Sequence, residues 1–160
     1  MKKYLNKFMI LFLTLGFIQT LPAQDNGLED LLFSMTIKDL NALNTDQLDA
    51  IIENGDWLLL DGSLAALTLL SGKNEEYLLD AQLIQGEWKG LDEVLKYSCH
   101  LIFQGDGWIN VVPDKTPRNP VEGQILLNSQ VLVLAKLIGY ELDGDKPVPY
   151  LLVSNIRRLL

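Results

Sequence analysis

From Trp57 to the C-terminus, apolar and polar residues recur with a period of two, the spacing of strands that bury one face. "EVLKYSCHLIFQG" is the clearest instance: Leu95, Tyr97, Cys99, Leu101 and Phe103 alternate with Lys96, Ser98, His100, Ile102 and Gln104. "WLLLDGSLAALTLLSG" predicts one long bent strand with a bulge near Gly62, and a hairpin at Asp61-Gly62 is the competing reading. "EYLLDAQLIQGEW" adds another strand, a brief "WINVVP" follows the histidine strand, and "SQVLVLAKLIGYEL" and "YLLVSNIRRLL" supply the last two. Between them "PDKTPRNPVEG" predicts a loop, because proline lacks the backbone donor that a helix interior needs.

Ahead of Trp57 the period is helical. Thr36 with Asp39, and Asn44 with Gln47, have capping-box spacing. Each precedes apolar residues on one face: Ile37, Leu40 and Leu43, then Leu48, Ile51 and Ile52. Gly55 is a natural stop, so two short amphipathic helices are predicted. A DNA-reading helix-turn-helix is disfavoured by four acids against one lysine in residues 36–53.

Residues 1–23 differ from the rest. Lys2, Lys3 and Lys7 precede an apolar run from Phe8 to Ile18, and Pro22 and Ala23 close it, the layout of a cleaved secretory signal. The run spans about half of a ~30 Å hydrocarbon core, too little for a membrane anchor. The predicted organisation is a signal peptide over 1–23, a helical segment over 24–55 and a β domain over 56–160.

Charge then narrows the partners. Without residues 1–23 the chain carries 10 basic and 21 acidic side chains, a net charge of about −11. Nucleic-acid binding by counterion release needs clustered Lys and Arg, so nucleic acid is expected not to be a partner. The single cysteine, Cys99, cannot form an internal disulfide, and stability must come from core burial.

The chemistry available is sparse. Alternation sends Cys99 inward and His100 outward, which separates the only thiol from the only imidazole. One His and one Cys exclude a His/Cys zinc site and a Cys-x-x-Cys redox pair. There is no Gly-x-Ser-x-Gly elbow and no glycine-rich phosphate loop opening a helix. Glu141, Asp143 and Asp145 lack the spacing of a calcium loop and read as a hairpin turn. No metal, cofactor or catalytic residue is predicted.

A long bent strand, two meander strands, an excursion and two C-terminal strands, "VLVLAKLIGYEL…YLLVSNIRRL", resemble the OB-fold, a five-stranded Greek-key barrel, over about residues 57–159. The expected fold is therefore mainly β: an OB-like barrel preceded by two short helices, with a generic small barrel or sandwich as the alternative. The excursion departs from the family pattern in leaving no room for a helix. The resemblance implies a ligand face on the outer side of the second and third barrel strands, holding Asp80, Gln82, Lys96, Ser98 and His100, between the loops "SGKNEE" and "LDGDKPVP". Trp88 and Trp108, at strand ends, are placed to stack on a ligand or to plug the barrel, and the plug is favoured.

Together these features predict an exported, non-enzymatic binding module of the envelope or periplasm, taking protein or glycan, with no stable membrane insertion after signal cleavage. The alternatives are a glycan-acting enzyme using Glu87 with Asp92 and Glu93 as paired carboxylates, and a structural component of the envelope.

Overall fold

The computed structural model describes residues 31–32, 35–71, 75–144 and 146–159; the signal-like segment 1–23 and Asp145 lie outside them. The elements run β1 (Leu31–Leu32), α1 (Ile37–Ala42), α2 (Thr45–Asn54), β2 (Trp57–Leu69), β3 (Leu78–Lys89), β4 (Glu93–Gln104), a 3-10 turn (Asp106–Trp108), β5 (Gln130–Asp143) and β6 (Lys146–Arg158).

Both helices start as the sequence predicts. Thr36 and Asp39 cap each other at α1, and Asn44 and Gln47 do so at α2. Gly55 ends α2 in the left-handed region at φ 68°, where a glycine carries no Cβ penalty. Ile37, Leu40, Leu48 and Ile51 are buried in the same core as the strands.

The strands follow OB topology. The order is β1-β2-β3-β4-β6-β5, and β2 also pairs with β5, so five strands close on one another. Closure is uneven: β4 meets β6 in parallel through only His100–Tyr150, Leu101–Leu151 and Ile102–Leu152, so the barrel is irregular. α1 packs against β4 and β6 at this short seam, and α2 packs against β5.

β2 is one strand, not a hairpin. Its first half pairs with β5 from Trp57 to Ser63 and its second half with β3 from Ser63 to Leu69. Gly62 lies where the strand changes partner, and a Cβ there would come within 2.7 Å of the Ile84 carbonyl oxygen. The irregularity itself falls between Leu64 and Ala66, two residues beyond the expected site, because the glycine answers a close approach of backbones and not an unpaired residue.

"WINVVP" is not a strand. Trp108 to Val112 turn, with the Val111 and Val112 amides bonded to the Trp108 carbonyl. The stretch is apolar because Val112 is buried as the floor of this loop, next to Ile125, whose amide bonds the Val111 carbonyl. Tyr77 anchors it, donating its hydroxyl to the Val112 carbonyl at 2.7 Å, and burial pushes that phenol up to about 12.

Candidate functional site: the outer face of β3 and β4

The β3–β4 hairpin is in register over its whole length, from Leu78–Gln104 to Lys89–Glu93. Leu79, Ala81, Leu83, Cys99, Leu101 and Phe103 point into the core. The other face therefore carries Asp80, Gln82, Ile84, Gly86 and Trp88 beside Ile102, His100, Ser98, Lys96 and Val94.

His100 is the centre of that face. Its Nδ1 lies 2.9 Å from both carboxylate oxygens of Asp80, one pairing step along the neighbouring strand. Its ring stacks on Tyr150 of β6, with centroids 4.6 Å apart and planes 14° from parallel, because the β4–β6 seam places those two residues side by side. The Tyr150 hydroxyl donates to Glu141 at 3.0 Å, and burial, then this bond, raises the phenol's pKa. Asp80, His100, Tyr150 and Glu141 thus form one braced row across four strands.

The row borders a groove of about 340 Å³ lined by Gln82, Ser98, His100, Glu141, Leu142, Asp143 and Val148. Three of its seven residues come from the "LDGDKPVP" stretch, since β5 and β6 run past the barrel as a hairpin and bring their turn to the rim. Carboxylates outnumber the single imidazole, so the groove suits ring nitrogens, amines and amides better than anions.

Cys99 faces away from all of this. It is fully buried, and desolvation pushes its thiol up to about 12, which leaves it without thiolate character at neutral pH. A second hollow of about 260 Å³ lies between α1 and the hairpin, walled by Thr36, Lys38, Gln85, Gly86, Glu87 and Tyr97. Its charges already satisfy one another: Lys38 pairs with Glu87 at 2.7 Å, and the Tyr97 hydroxyl donates to the same carboxylate at 3.1 Å. Those two bonds, led by the one from Lys38, hold Glu87 below its ordinary range.

Of the residues singled out from sequence, Gln82, Ser98 and His100 line the groove and Asp80 braces it. Lys96 lies farther along the hairpin, beside a separate hollow with Asn41 and Lys146. The two tryptophans part ways. Trp108 is half-buried against the core and meets Phe103 edge-on at 5.1 Å. Trp88 is 72% exposed, because β3 carries it beyond the barrel, and the plug expected there is corrected. Sequence reasoning passed over Tyr150, whose place beside His100 depends on a seam between strands far apart in the chain, and read Glu141 only as part of a hairpin turn; the alternation of "PVPYLLV" marks Tyr150 as outward-facing but names no neighbour.

No family model matches the chain, and no curated protein matches it. Solved structures do. The mitochondrial single-stranded DNA-binding protein Rim1 of S. cerevisiae is 12% identical, with 64% of this chain and 92% of that one covered at a TM-score of 0.43. The Plasmodium falciparum SSB in complex with single-stranded DNA is 12% identical over 64% and 93%, at 0.43. A small single-stranded DNA-binding protein from Streptomyces coelicolor is 11% identical over 67% and 94%, at 0.41. All three are single-stranded DNA-binding proteins, which runs against the expectation of an envelope or periplasmic binding module for protein or glycan and against the exclusion of nucleic acid, and both expectations are corrected. That exclusion leaned on charge, and net charge says nothing of a base held by its polar edge.

Proposed function

We propose that the protein is a binding module for single-stranded nucleic acid, holding bases in the groove at His100. The single observation that carries this is the braced ring row. An imidazole fixed by Asp80 and Tyr150 borders a groove whose other polar groups are an amide, a hydroxyl and two carboxylates. The face of the second and third strands is where five-stranded barrels of this topology take oligonucleotides.

Recognition runs through the base and not the phosphate. Carboxylates accept from exocyclic amino groups, as acids do from cytosine N4, and a glutamine amide suits adenine. Glu141, Asp143 and Gln82 therefore favour bases that carry an exocyclic amine, cytosine and adenine among them, while thymine offers the acids only its N3–H, flanked by two carbonyls that a carboxylate repels. The test is anisotropy titration of the intact protein with labelled dC, dA and dT oligomers. Expected are tighter binding to dC and dA than to dT, and a loss of about tenfold for Tyr150→Ala, which removes the brace behind His100. Absence of binding to all three, or equal affinity for dT, sinks the reading.

A further inference from the structure

We propose that the free edge of β4 pairs with the same edge of a second copy of this chain. β6 covers β4 only from His100 to Ile102. One step before that, Asn41 takes over: its amide donates to the Ser98 carbonyl at 2.9 Å and its oxygen accepts from the Ser98 amide at 3.0 Å. From Glu93 to Tyr97, no strand among the described residues covers this side of β4.

The Asn41 bonds also fix which backbone groups are on offer. Both polar groups of Ser98 face away from β3, and in an antiparallel ladder that direction recurs at every second residue. Lys96 and Val94 therefore present their amides and carbonyls outward. Such an edge is a template for another strand unless something guards it.

Charge complementarity selects a second copy in one register. A two-fold antiparallel pairing centred on Val94 sets Val94 against its mate and places Asp92 opposite Lys96 on both sides of the axis. Trp88 lies beside Val94 in the hairpin, so both tryptophans flank the centre on one face. Trp88 and Val94 are 72% and 48% exposed in the single chain, an apolar surface this pairing covers. The next register, centred on Leu95, opposes Asp92 to Ser98, whose backbone Asn41 already occupies. Asn41 thus acts as the stop that sets the alignment.

Sedimentation equilibrium of the intact chain over a range of concentrations tests this, and because it reads mass it stands or falls apart from oligonucleotide binding. A concentration-dependent dimer is expected. Lys96→Asp turns two attractions into two repulsions and weakens the dimer by about tenfold, and adding Asp92→Lys restores it. Val94→Pro removes an outward amide and yields a monomer, with circular dichroism unchanged as the check on folding. A monomer at every concentration overturns the proposal, as does a Lys96→Asp dimer as tight as the parent or a double swap that fails to restore it.

Discussion

Gly62 is the residue on which the closure of the barrel turns. A methyl group there meets the Ile84 carbonyl oxygen at 2.7 Å and the Leu83 side chain at 3.0 Å, and backbone cannot swing aside as a flexible side chain can. Gly62→Ala is expected to destabilise the protein by about 1 to 3 kcal/mol, the range of overpacked cores, read as a lower denaturation midpoint with an unchanged slope. An unchanged midpoint would mean that β2 and β3 separate without cost. At this scale the sequence is legible wherever a residue's role follows from its own neighbours. Cys99 and His100 part company because a strand alternates, and both stand as that rule places them. Asn41 is illegible for the opposite reason: nothing in "KDLNAL" reveals that its amide closes a strand edge 57 residues away. The Asp80–His100 contact lies between these cases, since the hairpin register that pairs Gln82 with His100 also puts Asp80 within diagonal reach.

At the scale of elements, α1 is held by charges that titrate in one direction. The hydroxyl and amide of Thr36 bond the Asp39 carboxylate and hold its pKa below the ordinary value, and Lys38 and Tyr97 do the same for Glu87. A carboxyl whose folded pKa is depressed binds its proton more readily in the unfolded chain. Its stabilisation is present above the unfolded value, about 4, and is lost as pH falls through the folded one. The attachment of α1 to the β3–β4 hairpin is therefore expected to weaken below about pH 4.5. Hydrogen exchange at Leu40 and Asn41 should quicken there, and the pair Asp39→Asn and Glu87→Gln should flatten that dependence. Exchange in the parent that ignores pH would show that the caps contribute nothing. Helix ends were legible because a cap is satisfied within four residues, as Thr36, Asn44 and Gly55 illustrate. "WINVVP" was not, because a buried loop floor and a short strand share one apolar signature and differ only in where Tyr77 and Ile125 meet it.

Across the whole molecule, a net charge of −8 sets a constraint that any reading with nucleic acid has to meet. A protein that holds single strands by their phosphates gathers lysine and arginine along a channel, and each neutralised phosphate adds about −0.7 to the slope of log affinity against log salt. The groove at His100 offers no such channel: Glu141, Asp143 and the Asp80 brace surround one imidazole, and Lys96 and Lys146 lie together in a different hollow. Affinity must then come from stacking and from base edges, which salt screens weakly. The slope for dC oligomers is accordingly expected to be shallower than about −1.5, that is, about two phosphate contacts or fewer. Removing a carboxylate should help the backbone approach but cost the amine contact, so Glu141→Gln is expected to narrow the preference for dC over dT while steepening the slope little. A slope of about −4 or steeper would place the bound strand on lysines and arginines away from β3 and β4, and the ring row at His100 would then be a brace for the barrel seam alone.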